Sequence, residues 1–397
     1  MAPRPNRRRR VAIAAALTLA LSAGSPRAGA GPAEDHACGQ EPGHRFFWIE
    51  RAFCDLPRHG PDRARGLVIW NHGIHTTLES WRAPAPPALR LLQARGWDVV
   101  MLKRHHAAEQ DNSLYRTVKR TLEEVAGARR HGYRKVVLAG QSFGGLVSLE
   151  AIDTVADIDA VVAFAPGVRT YGATGRLDVG VTDRILQRAK VGRLALVFPK
   201  NDDVFNHAER GPSAQAILAR RGLPYLLLDE TSGITGHGGG ATGRFALRYG
   251  LCLVDFLGAA SLPAERFTCP AVADEWPVVR DLLLPPPEQR THFVRADAAL
   301  PVPVTLLAGP RWALLADSVV LVAPVEETPG TLRLLYRSTG FAGGLFDATV
   351  GSGVIRAVLS NKSTVTLEPK GDGRITWTSS DGSRSFAAPL ARGREGP

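Results

Sequence analysis

The chain has 397 residues, of which 44% are hydrophobic and 22% charged, a composition that excludes a disordered polymer and leaves length for two separate cores. Its formal charge is +11, but six of the 49 basic residues fall within the first thirty, where there is no acid, so the remainder carries +5. Scattered basic residues at that balance do not argue for a nucleic-acid partner.

The first thirty residues stand apart. Arg4 and the run Arg7 to Arg10 precede an uncharged apolar stretch from Val11 to Leu21, and Ala28-Gly29-Ala30 offers small residues at a cleavage position. This is the pattern of a cleaved secretory signal, and it predicts a periplasmic or extracellular protein. Arg9-Arg10 leaves a twin-arginine route open beside the general one. The stretch is shorter than the roughly 20 apolar residues a membrane span needs, and no later segment reaches that length, so no stable span is expected.

Four cysteines follow the signal. An even number in an exported chain reads as disulfides, and the preferred pairing of the three possible is Cys38 with Cys54 and Cys252 with Cys269, four buried thiols being the alternative. None lies in a close Cys-x-x-Cys pair, so zinc is not expected.

From about residue 44 to 257 the pattern alternates strand and helix. Strands are predicted at Phe46–Arg51, Leu67–Asn71, Asp98–Leu102, Val136–Ala139, Ala160–Ala165, Leu194–Phe198 and Tyr225–Leu228, mostly short continuous apolar runs of the kind covered on both faces. Between them, Leu114, Val118, Leu122 and Val125 repeat at helical spacing, with Asn112 or Ser113 as N-cap and Gly132 beyond the end. Phe245, Tyr249, Cys252 and Phe256 repeat in the same way. The alternation predicts an α/β domain with a mostly parallel, doubly wound sheet.

After Cys269 the texture changes. Pro285-Pro286-Pro287 suggests a connector, and β-like runs follow at Ser318–Ala323, Thr331–Tyr336, Phe346–Val350, Val354–Leu359, Thr364–Leu367 and Arg374–Thr378. Gly371-Asp372-Gly373 and Asp381-Gly382 are hairpin signals. The expected organisation is therefore a signal at 1–30, the α/β domain at 31–270, a Pro-rich linker at 271–290 and a small antiparallel β domain at 291–397.

Chemistry concentrates in the α/β region. The strand run Val136–Ala139 breaks into Gly140-Gln141-Ser142-Phe143-Gly144-Gly145 and resumes at helical spacing with Leu146, Leu149 and Ile152. A serine on so tight a strand-to-helix turn is held with its hydroxyl above the sheet, and its neighbours must be small because backbones crowd there. The N-terminus of the following helix directs N–H groups at the same point, so Phe143 N–H is a candidate oxyanion donor. A serine hydroxyl needs a base and a group to orient that base. The run into Pro199-Lys200-Asn201-Asp202-Asp203 places an acid at a strand end, Asp202 first and Asp203 as the alternative, and Gly-Ile-Thr-Gly-His-Gly-Gly-Gly carries His237 just before a helix. After the strand Leu67–Asn71, Asn-His-Gly-Ile-His at 71 to 75 supplies the second oxyanion donor, Ile74 N–H or, second, His75 N–H. His72 with His75, and His105 with His106, lack an evident third ligand, so neither a metal nor a cofactor is expected.

These three motifs, His-Gly, Gly-Gln-Ser-Phe-Gly and Gly-His-Gly, resemble those of the α/β-hydrolase superfamily over roughly residues 44 to 257, most nearly its dienelactone-hydrolase-like branch of serine esterases. Dienelactone hydrolases proper carry cysteine where this chain has Ser142. The resemblance implies hydrolysis of an ester or related acyl bond in a small-molecule substrate, with Ser142, His237 and Asp202 as the catalytic set. Two other readings stay open: a serine peptidase or amidase on the same fold, and a silent hydrolase scaffold whose β domain binds glycan or protein through Trp377, Tyr336 and Phe346, residues otherwise expected in its core. The segment Arg169–Arg193 is expected to form a small lid, with Arg169, Arg176, Arg184 and Arg188 on a solvated helix face, attraction of an anionic substrate being the alternative. The oligomeric state is not legible.

Overall fold

The computed structural model describes residues 46–392 except 75–80, 82, 106–112, 155–156, 168–179, 206–208, 285–310, 316, 326–330, 340, 360–361, 363, 370–374, 380–384 and 389–390. The proposed signal segment, Cys38, His75, His106, Arg169, Arg176, the triple proline and both Asp-Gly turns lie outside the described residues.

Among the described residues, seven strands form the first sheet: β1 (Phe47–Arg51), β2 (Leu67–Asn71), β3 (Asp98–Arg104), β4 (Val136–Gln141), β5 (Ala160–Phe164), β6 (Arg193–Val197) and β7 (Tyr225–Leu228). They lie in the order β1-β3-β2-β4-β5-β6-β7. Only β1 runs antiparallel to its neighbour; the other pairings are parallel. Every residue of β2, β3 and β5 is buried, which accounts for their unbroken apolar runs.

The two-residue period of a strand divides those side chains between two cores. Val68 and Trp70 of β2 enter one cluster with Leu89 and Leu92 of α1 (Pro87–Ala94), Phe245 and Leu253 of α6 (Gly243–Gly258) and Val279 of α7 (Trp276–Leu283). Leu67 and Ile69 enter the other with Val125 of α2 (Ser113–Arg130), Leu149 of α3 (Phe143–Thr154), Ile185 of α4 (Gly180–Arg188) and Leu218 of α5 (Arg210–Arg221). The sheet is doubly wound, as the alternation of strand and helix predicts. The interval 271–290, expected as a linker, contains α7, whose Val278, Val279, Leu282 and Leu283 are buried in the first cluster. An eight-residue amphipathic helix between prolines has too few turns for its period to stand out in the sequence. Arg184 and Arg188 of α4 are exposed, and Arg188 pairs with Asp153 at 2.7 Å, the solvated face expected of them.

The C-terminal sheet comprises β8 (Arg311–Leu315), β9 (Ser318–Val325), β10 (Arg333–Ser338), β11 (Phe341–Gly351), β12 (Val354–Val358), β13 (Thr364–Pro369), β14 (Ile375–Ser379), β15 (Ser385–Ala388) and β16 (Ala391–Arg392). It is an antiparallel meander from β8 to β15, with β16 returning to pair with β8. Because β15 and β16 are three residue steps apart in the chain but at opposite ends of the sheet, both edges are held within about 11 Å of each other and the sheet must curl. Its interior holds Val320, Val322, Leu334, Tyr336, Ile355, Val365 and Leu367, with Phe346 packed against them. Tyr336 is thus a core residue rather than part of an exposed stacking platform; the Trp377 side chain lies outside the described residues. The other face of β9 turns Val319, Leu321, Ala323 and Val325 into the cluster that holds α6 and α7, so the second sheet shares a core with the first domain.

Cys252 of α6 and Cys269 are joined with their Cα atoms 5.3 Å apart at a sequence separation of 17, as expected. Cys54 is also disulfide-bonded; its expected partner, Cys38, is among the residues not described. Replacing Cys252 and Cys269 together by serine should lower stability by about 3 kcal/mol, the closure entropy of a loop of this length. Urea unfolding at fixed pH measures this, and an unchanged midpoint would show that the bridge does not restrict the unfolded chain.

Candidate active site

The site is built where β4 gives way to α3. Ser142 stands between them at φ +56°, in the left-handed region, a conformation that costs a non-glycine residue about 1–2 kcal/mol. Backbone bonds hold it there: Ser142 N–H donates to Phe164 O at 2.9 Å, and Ser142 O accepts from Leu146 N–H at 3.0 Å and Gly167 N–H at 3.2 Å. The flanking glycines are required by contact. A Cβ on Gly140 would sit 2.1 Å from Gly144 O, and one on Gly144 would sit 2.0 Å from Asn71 O.

That second contact joins two strand ends. The chain goes from β2 to β3 on one side and returns to β4 on the other, so β2 and β4 flank the point where the winding reverses, and the crevice outside their carboxyl ends is where ligands bind in open α/β sheets. The order of seven strands with the antiparallel one outermost, and a positive-φ serine directly after the strand beside the reversal, together decide the architecture. This is the α/β-hydrolase fold.

The segment after β2 lies against the serine. A Cβ on Gly73 would be 3.5 Å from Ser142 Cβ and 3.0 Å from the Gln141 side-chain oxygen, which brings the peptide between Gly73 and Ile74 to the edge of the site. His72, buried, accepts the Arg104 backbone N–H at Nε2 (3.0 Å). Its proton therefore resides on Nδ1, which lies 2.8 Å from Gly73 O. Burial, then the charge of Arg104, pushes His72 well below its ordinary pKa, so the ring is neutral and acts as a strut.

On the other side of Ser142, Asp202 follows β6 and His237 precedes α6. The His237 ring nitrogen Nδ1 lies 3.0 Å and 3.1 Å from the two Asp202 carboxylate oxygens. Asp202 Oδ1 also accepts the N–H groups of Val204 and Phe205, each at 2.9 Å. Burial raises the Asp202 pKa, but the hydrogen bond from His237 and those from the Phe205 and Val204 backbone outweigh it, and the carboxyl is held below its usual value. Asp203 is exposed. The two loops are bridged upstream: Lys200 N–H donates to Ile234 O and Gly236 N–H to Lys200 O, both at 2.8 Å. The Gln141 side chain donates to His237 O at 3.4 Å, so the residue before Ser142 touches the histidine loop. Among the described residues no hydrogen bond joins Ser142 to His237.

Three side chains that the sequence did not single out shape this region. Phe205 meets the His237 ring edge-on at 5.1 Å. Arg210, buried, stacks on Phe198 at 4.5 Å and on Phe205 at 5.8 Å and donates to Pro166 O and, at 3.0 Å, to Thr182 Oγ1; burial pushes its pKa down to about 10, with Asp202 and Asp183 opposing. Arg104, fully buried at the end of β3, contacts the segment after β2. A basic residue ending an apolar strand was the one available signal for Arg104, and it reads equally as a strand terminus. Only the topology brings it here.

No protein-family model matches the sequence, and no curated protein matches it. Among solved structures, a puromycin-hydrolyzing peptidase of Mycobacterium tuberculosis shares 16% identity over 56% of this chain and 38% of its own, with a TM-score of 0.37. A Pyrococcus furiosus esterase shares 15% over 50% and 84%, with a TM-score of 0.37. A protein assigned as a dienelactone hydrolase, from Klebsiella pneumoniae, shares 13% over 45% and 78%, with a TM-score of 0.34. This chain thus spans little more than a third of the mycobacterial protein. At scores this low the likenesses add nothing to the strand order and the turn at Ser142.

The depressed Asp202 carboxyl gives a stability signature. A group whose folded pKa is lowered contributes stability above its unfolded value, about 3.9 for Asp, and loses it as pH falls through the folded value. Asp202→Asn should therefore be less stable than wild type near pH 6, with the gap closing toward pH ~2 as the wild-type carboxyl protonates. Urea unfolding across that range checks it; a gap independent of pH would remove the charge from the account.

Proposed function

We propose that this protein is a serine hydrolase cleaving an ester or related acyl bond, with Ser142 as nucleophile, His237 as base and Asp202 as the group that orients the base. The observation that carries this reading is the left-handed Ser142 at the winding reversal, with an Asp202–His237 pair on the adjoining loops and Gln141 in contact with the histidine loop. With Nδ1 engaged by Asp202, Nε2 is the ring nitrogen left to accept a proton, the tautomer that such chemistry requires.

In the proposed reaction Ser142 Oγ attacks the acyl carbonyl and its proton passes to His237 Nε2. The imidazolium so formed is stabilised by Asp202, which stays ionised. The N–H groups of Phe143 and Ile74 bind the oxyanion, the first at the N-terminus of α3 and the second after Gly73. His237 then protonates the leaving group, and water, activated by the same ring, releases the acyl group. The separation of Ser142 and His237 by more than a hydrogen bond is common without substrate, such bonds closing in the reacting complex. No described helix is long and apolar enough to cross a membrane, and the Cys252–Cys269 bridge suits an oxidising compartment; we take the site of action to be periplasmic or extracellular.

Ser142→Ala should abolish turnover of p-nitrophenyl esters by at least about 1000-fold while keeping the wild-type melting temperature, and an aryl phosphonate should add to Ser142 in the wild type alone. Retained turnover in the variant, or no adduct on the wild type, would end this reading. Running amide and peptide substrates in the same panel separates the esterase from the peptidase. Asp202→Asn, which leaves the ring able to adopt the wrong tautomer, should lower kcat by about 10,000-fold.

A further inference from the structure

Arg104 closes β3 and is fully buried. Its Nη2 donates to two successive carbonyls of the segment after β2, His72 O at 2.7 Å and Gly73 O at 3.0 Å. Its backbone N–H holds the His72 ring. Its guanidinium carbon lies 5.1 Å from the centre of the Phe143 ring. One cation is thus bonded to the backbone that leads into one assigned oxyanion donor and lies against the side chain of the residue that carries the other.

Peptide geometry turns those contacts into an orientation. In a trans peptide the C=O and the following N–H point in opposite directions. A Gly73 carbonyl fixed on Arg104 therefore directs the Ile74 N–H away from the guanidinium, and the space a side chain at 73 would fill faces Ser142, whose Cβ would be 3.5 Å from it. Both carbonyls are bonded by one nitrogen, Nη2, whose two N–H directions are fixed by the planar guanidinium, whereas the rotating ammonium of a lysine on its flexible stem would not fix them. Glycine at 73 has no side chain to set its own backbone, so the orientation has to be imposed from outside.

We propose that Arg104 is a positioning residue that presets the oxyanion-binding backbone, fixing the Gly73–Ile74 peptide through the His72 and Gly73 carbonyls while seating on Phe143. It does not touch the substrate. Its effect is on the geometry of a donor required only when negative charge develops, so its loss should fall on kcat and leave KM nearly unchanged. This rests on the serine-hydrolase reading, and the test separates the two.

The experiment uses the full chain with Arg104→Lys and Arg104→Met, compared with wild type and Ser142→Ala. Hydrogen–deuterium exchange of the peptides covering residues 67–74 reports the clamp without any appeal to activity; both variants should exchange faster there and as wild type across β6 and β7. With p-nitrophenyl esters, Arg104→Lys should lose about 100-fold in kcat with KM within about threefold and an unchanged pH profile, the size expected for one misplaced oxyanion donor. Arg104→Met should lose at least as much. If Arg104→Met does not fold, Arg104→Lys, which keeps the charge and most of the volume, decides alone. Exchange unchanged in Arg104→Lys overturns the clamp while leaving the hydrolase reading intact. Faster exchange with kcat unchanged overturns the link to the oxyanion. A loss confined to KM, or matched by an equal rise in exchange throughout the sheet, makes Arg104 a fold residue and overturns the proposal. Wild type that neither turns over esters nor labels at Ser142 overturns the hydrolase reading itself, and the exchange result then stands on its own as a statement about the backbone.

Discussion

The close approach of two backbones, Gly144 against Asn71 and His72, is the constraint on which the rest of the structure depends. With Asn71 O and His72 O within 2.0 and 2.6 Å of where a Cβ would stand, α3 can start at Phe143 only because its second residue has no side chain. That contact brings the turn at Ser142 and the segment after β2 together across the winding reversal, so both proposed oxyanion donors share one rigid neighbourhood. Buried polar groups secure the junction: the Asn71 side chain reaches Ser148 and Thr121, and Ser148 Oγ donates to Gly144 O at 2.9 Å. The end of β2 is thereby tied to both α2 and α3, and the strain at Ser142 is supported by a network rather than by one bond.

The legible parts of this architecture were those decided locally. Runs such as Leu67–Asn71 and Tyr225–Leu228 are strands with the expected limits, because double burial leaves an unbroken apolar signature. β3 continues two residues further than its apolar run, through Lys103 and Arg104, since their polar ends find carbonyls in the interior: Lys103 reaches Trp81 O and Arg104 the segment after β2. Sequence patterns treat such residues as solvent-facing ends. The turn at Ser142 was readable because glycine spacing reports a steric need of the turn itself. Asp202 and Asp203 were not separable in sequence, since both follow the same strand; burial of one and exposure of the other distinguishes them, and that depends on where the His237 loop lands. β16 and α7 went unread for a different reason, being too short for a period to accumulate.

Two buried arginines flank the site, and they differ in what they oppose. Arg104 meets backbone carbonyls and a neutral histidine, whereas Arg210 meets carbonyl, hydroxyl and two aromatic faces and feels Asp202 only through space. Placing a cation among partial negative charges rather than beside a carboxylate keeps Asp202 available to His237 while still favouring its ionised form. Phe205 completes the arrangement, since it is stacked by Arg210 and in turn meets the His237 ring. The imidazole is therefore held by a carboxylate at one nitrogen and by an aromatic edge on its flank, a restraint on rotation that costs no hydrogen-bonding capacity at Nε2.

The C-terminal sheet reaches the same region from behind. The N-terminus of α6 begins six residues after His237, capped by Thr242 through Phe245 N–H. At that point Arg244 N–H donates to Asp317 O at 3.1 Å, and a Cβ on Gly243 would strike Thr339 Oγ1 at 2.3 Å. Thr339 Oγ1 accepts the Val319 N–H in turn. Together with the burial of β9 against α6 and α7, these contacts make the start of α6 a three-way junction of histidine loop, helix and second sheet. A module appended only to bind a partner has no need to enter the first domain's core at the helix that follows the histidine. The curled sheet is better understood as part of the scaffold that fixes where α6 begins, and hence where the loop carrying His237 is anchored.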